Sequence, residues 1–263
     1  MSENPMEELS KNISKTLEDL EFYLEQDGRF SPRQIENLLK FSSLVLVKNQ
    51  YLNLTAITDA KGFYTKHILD SLSLLPYFDD IIASNIGNTD ENLRFLDVGS
   101  GAGFPGIPIK IMRPDIDVVL LDSLKKRVKF LNEVIEEISL TNIKSVHARA
   151  EDLAHESEYR ERFDLVSARA VAKLPSLLEL TLPFVKLSGK FLAMKSSADE
   201  LGISRNALKI LGGKHVALEN LDLPDDSGSR TIIEIMKVSK TPKAYPRQAG
   251  TPTKSPLLGL FVL

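Results

Sequence analysis

The stretch that decides the fold is Leu93-Arg94-Phe95-Leu96-Asp97-Val98-Gly99-Ser100-Gly101-Ala102-Gly103-Phe104-Pro105-Gly106. A short apolar run ends in a carboxylate and passes directly into alternating glycines before a helix opens, which is how α/β proteins bring backbone close to a nucleotide. From Gly99 the letters read G-x-G-x-G, typical of proteins that hold S-adenosylmethionine; from Gly101 they read G-x-G-x-x-G through Gly106, the dinucleotide fingerprint. Charge favours the first. At ~4 Å and an effective dielectric near 20, a carboxylate facing one phosphate charge is unfavourable by roughly 4 kcal/mol, and facing an ammonium it gains a similar amount before desolvation. The Gly99 register also needs no extra residues between strand and loop. Asp97, Gly99, Gly101 and Gly103 are therefore read as binding S-adenosylmethionine, with a ligand-free structural turn as the plain alternative.

Working outward, a second strand, Ile116 to Leu121, closes on Asp122 about twenty residues after the glycines, where an acid accepts hydrogen bonds from ribose hydroxyls. Asp122 is the candidate ribose ligand. It also stands where a helix cap would, because Leu124, Val128, Leu131, Ile135 and Ile138 recur at helical spacing behind it, and both roles can hold together. Lys125, Lys126 and Arg127 could form the 2′-phosphate pocket of an NADP enzyme, but read more simply as a solvated face.

From Leu93 onward strands (93–98, 116–121, 143–146, 163–167, 189–194) alternate with helices (104–112, 124–139, 174–184, 199–211), which means a parallel sheet covered on both faces. Lys214 to Leu223 and Arg230 to Val238, joined by the turn Pro224-Asp-Asp-Ser-Gly228, read as an antiparallel hairpin at its edge. The expected class is α/β, a Rossmann-like class I S-adenosylmethionine-dependent methyltransferase fold. Residues 1–90 form an N-terminal helical cap and linker, 91–239 the methyltransferase domain and 240–263 a tail. In the cap, Ser31-Pro32 signals a helix start before Ile35, Leu38, Leu39 and Leu46; a further helix carries His67 to Leu75, and Ile82 to Asn92 is a loop.

The chain has 263 residues, 43% of them hydrophobic, enough for a full core. No cysteine and four scattered histidines leave neither a thiol nucleophile nor zinc-ligand spacing, so no metal is expected. The polar N-terminus and the lack of an eighteen-residue apolar stretch point to a cytoplasmic protein without a membrane partner. A monomer is the default expectation. Net charge is −3, but beyond Glu234 come only cations, Lys237, Lys240, Lys243, Arg247 and Lys254, in a Pro/Gly-rich segment too broken for a helix. Its extended backbone suits phosphate contacts and Tyr245 offers a face to a base, so Arg247 and Lys254 are read as RNA-binding; a solvated basic tail is the alternative.

Ligands in such sheets lie at the carboxyl ends of the strands. After the third strand, Ala150 could pack on an adenine and Glu151 receive its amine. After the fourth, Ser167-Ala168-Arg169-Ala170 lacks the Asp/Asn-Pro-Pro-aromatic cluster common in methylation of exocyclic amines, and carbon methylation of pyrimidines generally needs a cysteine. What remains is a target with a free lone pair, such as guanine N7, which needs no general base, so catalysis is mostly alignment and electrostatic support. Arg169 is the catalytic candidate: it would clamp the cofactor carboxylate or offer donors to guanine O6, unless it forms a strand-end salt bridge. His67 and Asp70, one helical turn apart, are candidates for the guanine pocket and RNA, against a structural hydrogen bond; Lys195, closing the fifth strand, is a candidate for RNA phosphate.

These residues carry a resemblance. Asn53-Leu-Thr55, His67-Ile-Leu-Asp70-Ser-Leu72, Phe95 to Pro108, Leu121-Asp-Ser-Leu-Lys-Lys-Arg127, Arg149-Ala-Glu151, Ala168-Arg-Ala170 and Tyr245 to Pro256 together resemble the bacterial ribosomal RNA small subunit methyltransferase G family, also called glucose-inhibited division protein B. The resemblance spans roughly residues 33 to 257. It implies S-adenosylmethionine-dependent methylation of N7 of one guanine in 16S ribosomal RNA near the decoding centre of the small subunit, with cofactor contacts at Gly99, Phe104, Ala150, Glu151 and Arg169. Three stretches depart from the family: Ala168, where some members have serine, the longer linker Asp79 to Asn92, and the apolar end Leu257 to Leu263. The competing readings are an NAD(P)-binding oxidoreductase, which predicts a Tyr-x-x-x-Lys dyad where no tyrosine lies between Tyr159 and Tyr245, and a non-catalytic RNA- or ligand-binding module.

Overall fold

A computed structural model describes residues 5–84, 92–224 and 227–258. The cap opens with α1 (Pro5–Asp27) and α2 (Pro32–Leu52), the latter started by a capping box in which Ser31 Oγ accepts Gln34 N–H and the Gln34 side chain returns to Ser31 N–H. Their apolar stripes meet: Leu20 and Leu24 from α1, and Leu38, Phe41, Val45 and Leu46 from α2, are buried. After a left-handed residue at Asn53, φ 48°, the chain continues as α3 (Ala60–Phe63), a π-helical turn (Tyr64–Leu69), α4 (Asp70–Leu72) and α5 (Leu75–Ser84). The helix therefore extends past Ile82, because Phe78, Ile81 and Ile82 continue its apolar face; of the expected loop, residues 85–91 lie outside the described residues.

The remainder runs β1 (Arg94–Val98), α6 (Gly106–Met112), β2 (Asp117–Asp122), α7 (Lys125–Glu137), β3 (Ile143–His147), α8 (Ala150–Leu153), β4 (Phe163–Arg169), α9 (Leu174–Thr181), β5 (Val185–Lys195), α10 (Arg205–Leu211), β6 (Gly213–Asp222), β7 (Ser229–Lys237) and α11 (Thr251–Lys254). The strands form one sheet in the order β3-β2-β1-β4-β5-β7-β6; the first five are parallel, while β7 is antiparallel to both β5 and β6. This is the class I methyltransferase arrangement, and the order reverses between β1 and β4, which opens a crevice at their carboxyl ends. β4 runs two residues beyond expectation because Ala168 and Arg169 still pair with Ala193 and Met194. In the hairpin turn, Leu223 N–H bonds Gly228 O, and Asp225 and Asp226 lie outside the described residues.

One apolar cluster is continuous from the cap into the sheet, joining Leu38, Phe41 and Phe63 to Phe104, Ile107 and Leu120. The tail departs from expectation. Instead of an extended solvated arm it docks on the sheet domain: Arg160 donates to the carbonyls of Thr241, Pro242 and Tyr245, and Lys237 Nζ, almost fully buried, holds Leu182 O and Thr241 Oγ1, both at 2.6 Å. Burial pushes the Lys237 ammonium down to about 8. The segment does form one helical turn, α11, with Pro252 near its start, where a missing N–H is harmless.

Phe41 packs its ring 5.0 Å from that of Phe104 and so joins the cap to the glycine loop. Phe41→Ala is expected to lower stability by about 3–5 kcal/mol in urea titration; a change below about 1 kcal/mol would show that the cap docks elsewhere.

Candidate functional site

The glycine loop is built so that backbone replaces side chain. Gly99 has φ +75°, and a Cβ there would stand 2.6 Å from Val171 Cγ2. Its N–H bonds Leu121 O at 2.7 Å, tying the loop to the end of β2. Asp97 lies sealed beneath, 1% exposed: Oδ2 accepts Gly106 N–H at 3.2 Å, and Oδ1 accepts Ser167 Oγ–H at 3.3 Å. It does not present an oxygen to the crevice, as the charge argument had assumed, but acts from one layer below. Burial pushes its carboxyl up to about 6, against the opposing effect of Gly106 N–H.

This arrangement also resolves the ambiguous glycines. Gly106 is there for packing, since a Cβ would meet Leu120 Cδ2 at 2.2 Å. At the head of α6, Gly106 N–H is held by Asp97, Ile107 N–H by Gly103 O, and Pro108 has none. The groups that would bind a pyrophosphate at a helix N-terminus are already engaged, one of them by a carboxylate.

Between the carboxyl ends of β1, β2, β3 and β4 lies an open crevice, where ligands of such sheets bind. Gly99, Asp122, Ala150 and Glu151 line it. Asp122 accepts Leu124 N–H, just ahead of α7, at 2.8 Å and steadies the loop through Gly101 N–H at 3.0 Å, with Arg127 at 3.5 Å. Glu151 Oε1 accepts Gly250 N–H at 2.8 Å.

A second cluster sits where β4 ends. Asp70, fully buried, pairs with two guanidiniums: Arg169 Nη1 at 2.7 Å and Arg230, whose Nη2 lies at 2.8 Å. Asp70 therefore does not face a substrate base; it joins cap, β4 and β7 electrostatically. Arg169 also donates to Lys66 O, and its guanidinium carbon stands 5.4 Å from the Phe104 ring centre, so the salt-bridge reading holds. His67 stacks on Phe104 at 4.5 Å between ring centres, bonds Thr55 Oγ1 through Nε2 at 2.7 Å and meets Arg169 at 3.4 Å through Nδ1. Phe104, 4% exposed, is a cap-to-loop contact whose ring is not among the crevice walls. Ala170, next to Arg169, is left-handed at φ 56°, the sort of local strain that gathers at functional turns.

Two further residues read as RNA-binding are held in ion pairs. Lys195 pairs with Glu200 at 2.8 Å and bonds Ala172 O, closing the β4–α9 turn. Arg247 grips Glu179, which is fully buried, through Nε at 2.9 Å and Nη2 at 2.6 Å. Lys254 stays exposed on α11. Sequence reasoning missed Arg230, Val171, Gly250 and Thr253. Only Glu179 gave a signal, a lone carboxylate in the apolar run Leu177-Leu-Glu-Leu180 that demands a partner.

Burial, aided by Arg169, pushes His67 down to about 3. A folded-state value below the unfolded ~6.5 gives stability that is present above pH 6.5 and lost as pH falls towards 3. His67→Phe should therefore gain on the parent by roughly 2 kcal/mol between pH 6.5 and 5 in chemical denaturation; a pH-independent difference would mean that the ring is not held neutral.

Comparison with known proteins identifies the family. The family model described as rRNA small subunit methyltransferase G matches residues 34–228. The ribosomal RNA small subunit methyltransferase G of Acetivibrio thermocellus is 48% identical over 85% of this chain and 89% of its own, and that of Geobacillus kaustophilus is 45% identical over 89% and 96%. Among solved structures, M. jannaschii TYW2 in complex with AdoMet aligns with 16% identity over 61% of this chain and 76% of its own, TM-score 0.42. With a family model matched over most of its length, and with relatives above 40% identity, the chain belongs to the rRNA small subunit methyltransferase G family.

Proposed function

We propose that this chain, a ribosomal RNA methyltransferase that uses S-adenosylmethionine, methylates N7 of a guanine in the 16S RNA of the small ribosomal subunit, in the cytoplasm. The crevice residues fit the cofactor. Asp122 at the end of β2 would take the ribose hydroxyls, Ala150 and Glu151 the adenine, and the loop backbone at Gly99 the amino-acid end, above the Asp97 carboxylate. When bound, the cofactor supplies a methyl group on a positively charged sulfur.

The observation that carries N7 is the end of β4. Ala168-Arg169-Ala170 offers no side-chain pair to hold an exocyclic amine, Arg169 is committed to Asp70, and His67 is neutral with both ring nitrogens engaged. Nothing in this cluster stands ready to take a proton. Guanine N7 has a lone pair in the ring plane and loses no proton on attack, so alignment suffices. The engaged N–H groups at the head of α6 argue against an NAD(P) enzyme.

The test is transfer of labelled methyl to small subunits lacking the modification, followed by digestion of the RNA. Label recovered as 7-methylguanosine from 16S RNA supports the reading; label on an amino group, or only in protein, contradicts it. Asp97 adds a pH test. Its raised value means that stability from the neutral form is fully present below pH ~4 and is lost as pH rises through about 6. Asp97→Asn should therefore stabilise the unliganded protein at pH 7.5 in chemical denaturation, by up to ~3 kcal/mol. It should also weaken S-adenosylmethionine more than neutral S-adenosylhomocysteine. Equal weakening of both ligands would show that the carboxylate does not act on the sulfonium charge.

A further inference from the structure

The docked tail ends at the cofactor crevice. Gly250 and Thr253 line the same space as Gly99, Asp122 and Glu151. Three independent anchors bring them there. Arg160 holds the carbonyls of Thr241, Pro242 and Tyr245, and His155 Nε2 meets Pro246 O at 2.9 Å. Arg247 is fixed twice on Glu179, by its side chain and by its own N–H at 2.8 Å, and its Nη2 closes the turn on Ser255 O. Gly250 N–H then donates to Glu151 Oε1. The last bond matters most, because it joins the tail to an acid of the crevice itself.

We infer that residues 245–254 are a strap completing the cofactor site, with Gly250 and Thr253 as positioning residues for its adenine end. This rests on the methyltransferase reading. The acid at the end of β2 is the ribose position, so the purine lies beyond it, in the part of the crevice bounded by Ala148 to Glu151, by Leu180 of α9 and by the strap. Leu180 and the strap are joined, since α11 packs on α9 and Glu179 adjoins Leu180. Thr253 is exposed and lines the crevice, so its side chain is not part of the core. Gly250, left-handed at φ +83° with open space around its Cβ position, carries no bulk into the crevice mouth.

A ligand that touches only the docked strap must stabilise docking, and a loosened strap must weaken the ligand by the same factor. The basic tail therefore serves the cofactor, with Arg247 acting through Glu179 and not on RNA phosphate.

The experiment uses the full chain and S-adenosylhomocysteine as probe. Hydrogen exchange with and without it should show the amides of residues 247–254 slowed at least tenfold on binding. By calorimetry, Thr253→Trp, which fills the mouth from an exposed position and leaves the core untouched, should weaken the probe about tenfold or more, with the unliganded unfolding midpoint unchanged. Arg247→Lys, which keeps the charge on Glu179 but loses the fork, should weaken it in the same sense. Unchanged exchange together with parental affinity in Thr253→Trp overturns the strap while leaving the methyltransferase reading intact. A parent chain that binds S-adenosylhomocysteine not at all overturns both.

Discussion

The buried carboxylate of Asp97 is the constraint from which the rest follows. It holds the N–H that opens α6 and takes the Ser167 hydroxyl, so it fixes the glycine loop between β1 and β4 at the point where strand order reverses. A negative charge in that place occupies the helix end that a phosphate would need, and it leaves the space above favourable to a cation. Burial keeps the carboxyl reluctant to ionise. The unliganded fold thus carries a cost that a bound positive charge relieves, the familiar opposition between stability and function.

The neighbouring cluster is tuned the other way. His67 is held neutral, so its contribution falls as pH drops from 6.5, whereas that of Asp97 rises as pH drops through about 6. The two slopes oppose one another between about pH 4 and 6. Asp70, shared by Arg169 and Arg230, binds the cap to two strands of the sheet; removing a buried partner of this kind typically destabilises by about 3–5 kcal/mol. Cap, β4 and β7 are in this way one electrostatic unit beside the crevice.

What the sequence made legible was what its local pattern carries. The strand-to-glycine junction, the acid ending β2, the β/α alternation and the closing hairpin are all patterns among neighbouring residues. The pairings that decide individual roles are not. Arg230 meets Asp70 across 160 residues, Arg169 meets it across 99, and Arg247 meets Glu179 across 68. Composition counts cations but not their partners, which is why Arg247 and Lys195 looked free for phosphate. A charge in a buried helix, Glu179, was the one local sign that a distant cation was committed. Phe104 shows the same limit: the resemblance put it among the cofactor contacts, and only packing shows its ring between Phe41, Phe63 and His67.

The central claim is that a cationic sulfur donor, and not a phosphorylated coenzyme, belongs over the β1–α6 corner. Thermal unfolding of the full chain with S-adenosylmethionine, and separately with NAD and NADP, tests it most directly. At a hundredfold excess over its dissociation constant, a ligand specific for the folded state adds about 2.7 kcal/mol, a shift of several degrees for a chain of this length. The account predicts that shift with S-adenosylmethionine and none with either dinucleotide; a shift with a dinucleotide alone would contradict it.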